Sequence, residues 1–352
     1  MADARHSQLR EGTPPPTVSI IIPMRNEEHY IGECLESVVQ QDYPVNLTEI
    51  LVIDGMSTDS SVHVVKRFQE EHPHIRLLYN SRQRTTYALN IGIANSVGAI
   101  IARVDAHCAI QPDYVRRCVE TLQKTGAQNV GGLMRPGGKG FLERAIGFAI
   151  SSPFGIGWGK FHYYHKQVEV DTVYLGAYVR NVFDKVGFYD EEAHYSEDDE
   201  FNFRLTQAGG KIVLNPDIKS EYRPRSSLTS LGRQFFNYGF GKVRSIQKHG
   251  RPFSIRHLIP SLFILSLMLG LTLYVFVHPL FGWLTAFILV TYGLLSSIAS
   301  VKISCREEWR FLLVIPVIFA TIHISYGVGF LLGLLRAFSN SIRNERLFHL
   351  AT

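Results

Sequence analysis

Between residues 257 and 301 the chain has no Asp, Glu, Lys or Arg, and between 311 and 335 it again has none. A helix that crosses a bilayer needs ~20 consecutive, mostly apolar residues. The first run is 45 residues long. It suits two helices, about 258–277 and 281–301, turning near His278 and Pro279. The second run, 25 residues, suits one helix over about 311–335. All 36 Lys+Arg and 31 Asp+Glu fall on the rest of the chain, at about 24% of its residues, an ordinary soluble level. The sequence therefore predicts a water-soluble domain joined to a membrane-embedded α-helical C-terminus. Disordered, collagen-like and disulfide-stapled chains are excluded.

The net charge of +5 is unevenly spread. Residues 1–224 hold 23 Lys+Arg and 28 Asp+Glu; residues 225–256 hold seven basic residues and no acid; the rest holds six basic and three acidic. The excess reads as a collar against anionic headgroups, each cation contributing about 1 kcal/mol, so membrane lipids are expected partners and nucleic acid is not. Cationic flanks stay in the cytoplasm, which places 225–256, and after two crossings Lys302, Arg306 and Arg310, on that side. A third crossing would carry Arg336, Arg343 and Arg346 outward, against the rule, unless the segment holding Pro316 is re-entrant. Both topologies stay open. The opening MADARHSQLREGTPPPT is polar, so no secretory signal is expected and 1–16 reads as a disordered tail. Cys34, Cys108, Cys118 and Cys305 form no CxxC pair and read as reduced thiols. The expected organisation is a catalytic domain over 17–224, a basic juxtamembrane segment over 225–256, the spans over 257–335 and a polar tail over 336–352. The expected setting is the cytoplasmic (inner) membrane, with the soluble domain in the cytoplasm.

Within 17–224, short apolar runs alternate with helical periodicity. VSIII (18–22) precedes Pro23, EILVID (49–54) ends in an acid, IRLLYN (75–80) follows, and GAIIARVDAH (98–107) carries Asp105 and His107. Between them lie helical patterns through Tyr30, Ile31, Cys34, Leu35, Val38 and Val39, over 61–70 and over 88–96. Such alternation predicts an α/β unit with a mostly parallel sheet. Ligands of such sheets sit outside the carboxyl ends of the strands. Those ends bring Arg25, Asn26 and Glu27, then Asp54, then Asp105 and His107 to one edge. The Gly- and aromatic-rich stretch 137–165 reads as a flexible or membrane-proximal substrate region.

Each polar cluster has a plain structural reading beside the functional one. A strand-ending Asp also suits a helix cap, IDGMSTDSS (53–61) an Asx turn, Arg84 a solvated charge, and His107 a strand-end cap. Residues 197–200, Glu-Asp-Asp-Glu, also suit a calcium site or a charged helix start. Taken together the clusters resemble the family 2 glycosyltransferases, over about residues 17–240, in the order and spacing of several motifs. That resemblance implies a GT-A fold that binds a nucleotide sugar over a parallel sheet.

VSIIIPMRNEE (18–28) resembles the family's opening strand and turn, which implies base and ribose contacts for Pro23, Arg25 and Glu27. IDGMSTDSS resembles the Asp-Asp-Gly-Ser-x-Asp segment. Asp54 would accept the uracil N–H and Asp59 would steady the next helix, while Gly55 stands where a second Asp is usual. Ala88, Asn90 and Gly92 match the Ala-x-Asn-x-Gly helix, with Arg84 in place of a common Gly and in reach of a phosphate or ribose. VDAH (104–107) sits where the family has Asp-x-Asp, the pair that holds a divalent cation on the diphosphate. His107 replaces the second Asp, and imidazole suits Mn²⁺ better than Mg²⁺, so Mn²⁺ should support turnover at least as well.

HYSEDDEFNFRLTQAGG (194–210) matches the family's acidic helix start. By the resemblance Asp198 is the base that takes the acceptor hydroxyl's proton, Glu197 orients acceptor or sugar, Asp199 and Glu200 support them, and Arg204 pairs with the cluster. Arg135, Gly176 and Arg180 fall in segments that look like donor- and acceptor-side loops. Gln234 belongs to GRQFFNYG (232–239), which is similar to the Gln-x-x-Arg-aromatic helix of processive synthases but has Asn237 for Arg, a departure that implies one sugar added at a time. Within the family the likeness is to the bacterial exopolysaccharide type represented by succinoglycan glucosyltransferases. It implies inverting transfer from a UDP-sugar, UDP-glucose favoured, to a polyprenyl-diphosphate-linked saccharide, with Mn²⁺ or Mg²⁺ as cofactor. The competing readings are a polyprenyl-phosphate sugar transferase and a membrane scaffold that keeps the fold without the chemistry.

Overall fold

The computed structural model describes residues 14–351 except 139, 158–163, 194, 196 and 251–256, with side chains described up to 339. Most of the expected N-terminal tail therefore lies outside the described residues. The chain divides into two compact units, one of residues 1–134, 164–191 and 201–221, the other of 135–163, 192–200 and 222–352.

The first unit is built on a nine-stranded sheet. Its parallel half comprises β1 (Val18–Met24), β2 (Thr48–Asp54), β3 (Ile75–Tyr79) and β4 (Ile100–Arg103), in the order β3-β2-β1-β4. These are the apolar runs of the sequence, buried on both faces as parallel strands are; Ile20, Ile22, Ile50, Val52 and Ile53 are fully buried. Pro23 does not end β1. It pairs in register with Ile53, and Met24 pairs with Asp54. The helices α1 (Ile31–Val39), α2 (Ser61–Glu71), α3 (Thr85–Asn95) and α4 (Tyr114–Thr125) accompany the strands. Gly92 lets α3 approach the sheet, since a Cβ there would lie 2.5 Å from the Ile21 side chain.

Beyond β4 the sheet departs from the expected parallel pattern. It continues through β8 (Tyr174–Val179), β6 (Asn129–Pro136), β9 (Ile212–Tyr222) and β5 (Cys108–Ile110), while β7 (Val168–Glu169) joins β9. β8 is antiparallel to both β4 and β6. The helices α7 (Asn181–Val186) and α8 (Glu197–Gln207) follow β8, and Asn202 ties α8 to Asn129 at 2.9 Å and Thr172 at 3.0 Å.

The second unit is helical. The stretch expected to be loose contains α5 (Phe141–Ile150) and the short α6 (Pro153–Ile156). Ala145, Ile146, Ala149 and Ile150 are buried along α5, a periodicity that the surrounding glycines obscure in the sequence. Next come α9 (Leu228–His249), α10 (Ile259–Phe276), α11 (Leu280–Arg306) and α12 (Ile315–Ala351). Three segments, Ile259–Phe276, Leu280–Arg306 and Ile315–Ser339, are long and apolar enough to cross a membrane. The helix α12 continues through the expected polar tail.

Glycines bring α9 and α12 into backbone contact. A Cβ on Gly239 would lie 2.1 Å from the Tyr326 carbonyl, and one on Gly329 2.2 Å from the Phe236 carbonyl. Gly232 faces Thr321 and Ser325, and Gly333 faces Phe240 and Val243. Contact positions rise together along both helices, so the two run parallel.

Candidate active site

The parallel register sets the first unit's cleft. Because Met24, Asp54 and Tyr79 pair across β1, β2 and β3, the loops that follow leave the sheet at one level. They enclose a cavity of about 220 Å³ lined by Pro23, Arg25, Glu27, Arg84, Asp105 and His107, with Gly55, Asn80, Gln83 and Arg103 among the others. Six expected donor-site residues thus meet in one place. Three non-glycine residues with left-handed φ sit in these loops, Asn26 (54°), Met56 (59°) and Gln83 (60°). Such conformations cost of order 1–3 kcal/mol and collect where a site over-determines its backbone.

Side chains hold the loops. Arg25 donates to the Gln83 side chain at 2.7 Å. Asn80, buried, donates to the Arg84 carbonyl at 2.9 Å and accepts the Arg82 amide at 3.1 Å. The Asp54 carboxylate is 1% exposed and accepts the Ser57 amide at 3.1–3.2 Å. Its neighbour Gly55 lines the cavity. Asp59 bridges two loops, accepting from the Ser61 hydroxyl and amide (2.5 and 3.0 Å) and from the Glu28 amide (3.1 Å). Burial pushes its carboxyl up, but these bonds outweigh burial and hold it below the ordinary value.

At the end of β4, Arg103 donates through Nε to Asp105 at 2.7 Å. His107 Nδ1 lies 3.4 Å from Glu27. Burial alone would raise the Asp105 carboxyl, yet the charges of Arg103 and then His107 bring it below its usual value, so Asp105 is a carboxylate near neutral pH. Asp105, His107 and Cys108 place their ligand atoms within 4.8 Å of one another. A carboxylate oxygen and an imidazole nitrogen are donors that suit Mn²⁺, so the residues fit a divalent cation. The Cys108 sulfur lies 2.7 Å from the Tyr174 hydroxyl.

In the second unit, the acids that start α8 meet cations of α9. Lys242, whose side chain is 4% exposed, reaches Asp199 at 2.6 Å. Lys248 and His249 both reach Glu200 at 3.1 Å, and that carboxylate is 1% exposed. Arg244 pairs with Glu192. These contacts correct the reading of 225–256 as a collar for headgroups alone, because three of its five basic residues among the described residues neutralise protein carboxylates, while Arg251 and Arg256 lie outside the described residues. Charge counting along a window missed them, since the partners lie more than forty positions away.

The remaining expected residues have structural partners. Gly176 is packed inside β8 against Asn129 and Tyr178. Arg180 binds the Gly98 carbonyl at 2.5 Å and the Ser96 hydroxyl at 2.8 Å, holding the turn before β4. Arg204 donates to the carbonyls of Val186 and, at 2.8 Å, Phe188, with its guanidinium over the Phe201 ring. Gln234 accepts from Arg225 at 3.3 Å and donates to the Tyr238 hydroxyl at 2.9 Å. Arg135 is exposed at the end of β6. Sequence reasoning missed Asn80, Gln83, Arg103 and Lys242, which act through partners that no linear motif pairs with them.

Comparison with known proteins places this geometry. The family model described as Glycosyl transferase family 2 matches residues 19–186. The chain is 30% identical over 327 residues to a Methanococcus voltae protein named dolichyl N-acetyl-alpha-D-glucosaminyl phosphate 3-beta-D-2,3-diacetamido-2,3-dideoxy-beta-D-glucuronosyltransferase, covering 91% of this chain and 97% of that protein. It is also 30% identical over 254 residues to the succinoglycan biosynthesis protein ExoA of Rhizobium meliloti, covering 68% of this chain and 73% of that one. Among solved structures, the mannosyltransferase PcManGT from Pyrobaculum calidifontis, in complex with GDP-Man and Mn²⁺, superposes with a TM-score of 0.58. It has 19% identity and covers 89% of this chain and 88% of that one, which shows the GT-A-like fold. The chain is a family 2 glycosyltransferase with three apolar C-terminal helices that could span a membrane.

Proposed function

We propose that the protein transfers a hexose, with inversion and one residue at a time, from a UDP-sugar to a polyprenyl-diphosphate-linked saccharide during cell-surface polysaccharide synthesis. The supporting observation is the cavity where Arg25, Glu27, Arg84, Asp105 and His107 meet at the carboxyl ends of the parallel strands. Glu27 and Arg25 are suited to ribose and base, and Asp54 to the uracil N–H with Asp59 steadying the same loops. Arg84 and Arg135 are suited to the diphosphate. Asp105 and His107 would hold a divalent cation, which when bound offsets charge on the departing diphosphate. Asp198 takes the acceptor hydroxyl's proton and Glu197 orients the acceptor. Asp199 and Glu200, neutralised by α9, limit the negative charge crowded around that base. Transfer is read as facing the cytoplasm at the inner membrane.

UDP release from membranes containing the protein, supplied with UDP-hexoses and Mn²⁺, tests this. Asp198→Asn should lower turnover by about 10²–10⁴-fold while leaving donor binding intact; equal activity in both proteins removes the base assignment. A second reading is favoured by the Methanococcus relative, whose name specifies a dolichyl-phosphate-linked sugar and an acetamido-uronic acid. On that reading the acceptor is a monophosphate-linked sugar, and a panel of UDP- and GDP-sugars scored by thermal stabilisation separates the donors.

A further inference from the structure

The three apolar helices are not alike. Over their most apolar stretches α10 and α11 are each 11% buried, whereas α12 is 39% buried. Its buried side is Ile315, Ile318, Phe319, Ile322, Phe330 and Gly333. The opposite side is one exposed apolar stripe through Val317, Ile324, Leu335 and Phe338. Protein covers one face of α12 and leaves the other apolar, which suits a helix lying in the interface plane with that face towards the acyl chains.

Its neighbours point the same way. The helix running parallel to it, α9, carries Arg233, Lys242, Arg244 and Lys248, which no bilayer core would accept along a lipid-facing helix. Both ends of α9 are tied to polar or loop segments. Its C-terminal Lys248 and His249 hold Glu200, and Pro224 just before it packs with Pro136 around Gly147 of α5. Residues 321–336 of α12 lie along this helix, with Arg336 over the Phe240 ring.

Helix α12 meets the hairpin of α10 and α11 at the start of α10 and midway along α11. Gly327 touches Pro260 and Ile264, and His323 meets the Tyr292 hydroxyl at 2.9 Å. Further along, the hairpin pairs with itself, Gly270 against Thr285 and Gly282 against Tyr274. His323 also reaches the Phe154 and Gly155 carbonyls of α6 at 2.9 and 3.0 Å, which ties α12 to a segment outside the three apolar helices.

We infer that α12 is an interfacial helix whose apolar stripe rests on the lipid surface, and that the chain crosses the membrane twice, through α10 and α11. Arg336, Arg343 and Arg346 then remain on the side of α9 and the acidic residues 197–200, which satisfies the charge rule without a re-entrant segment.

Single cysteines in the full chain test this, with the exposed Cys305 replaced by Ser. Cys34, Cys108 and Cys118 are buried. Ser339→Cys and His278→Cys are labelled with a membrane-impermeant maleimide in intact cells and in inverted vesicles. The expected result is His278→Cys labelled from one side and Ser339→Cys from the other. Labelling of both from the same side overturns the proposal and establishes three crossings. A topology reporter fused after Thr352 reads the same question in the unsubstituted chain. It should report the cytoplasmic side, where Lys302 and Arg306 lie, and the opposite report also overturns the proposal.

Discussion

One polar group of the cleft and one of the loops around it make separable predictions. His107→Asn removes the imidazole but keeps a polar side chain, so loss of a ligand should weaken Mn²⁺ support by roughly tenfold or more. A metal titration of UDP release unchanged from wild type would show that His107 holds no metal. Asp59 tests the loop itself. Its folded carboxyl is held below the ordinary value, so its contribution to stability is fully present above the unfolded value, ~3.9, and is lost as pH falls through the folded one. The melting temperature of Asp59→Asn should therefore lie below wild type at pH 6, and the gap should close on acidification towards pH 3. A gap that widens on acidification contradicts the assigned bonds. Asp105 and His107 were legible in the sequence because two positions separate them. Arg103, which fixes the charge of Asp105, reads on its own as one more residue of a buried strand.

Among the elements, the pairing of α8 with α9 carries a charge effect that can be measured. Lys242 is nearly buried and Asp199 is partly exposed. Removing one partner leaves the other charge poorly solvated, which costs up to 3–5 kcal/mol when both are deeply buried and about 2 kcal/mol after allowing for that exposure. Lys242→Met should lower stability by that amount, and adding Asp199→Asn should recover part of it. A double-mutant cycle with coupling below ~0.3 kcal/mol would show the two sites to be independent. The parallel strands β1 to β4 could be read directly, because strands buried on both faces are written as continuous apolar runs. The antiparallel β6, β8 and β9 could not, since their partners are set by register across the chain and not by composition. Helix α5 was hidden by its glycines. The interfacial character proposed for α12 was hidden for another reason: hydropathy counts apolar residues without saying whether protein or lipid covers them.

For the molecule as a whole, α10 and α11 are exposed and apolar along most of their length. Attachment therefore rests on apolar burial at ~25 cal/mol per Å² more than on headgroup charge, the more so because Lys242, Lys248 and Arg244 are engaged by carboxylates. Membranes washed in 1 M salt, where the Debye length falls to ~3 Å, should retain the protein, and so should membranes washed in alkaline carbonate. Release by salt alone would identify a peripheral protein and contradict the hairpin.

The interlocked glycines of α9 and α12 also order events in time. Helix α9 leaves the ribosome on the order of sixty residues before α12 begins, an interval of several seconds at ~5–20 residues per second. Through that interval the surface of α9 around Gly239 lacks the helix that will cover it, while the hairpin between them is already apolar enough to enter the bilayer. Lys242, Lys248 and His249 lie on the same late-completed helix. The cleft proposed to take the donor, lined by residues between Pro23 and His107, is therefore synthesised early. On the proposed assignment, a nascent chain would make the residues of its nucleotide site well before α9 and α12 complete the surroundings of its acidic cluster.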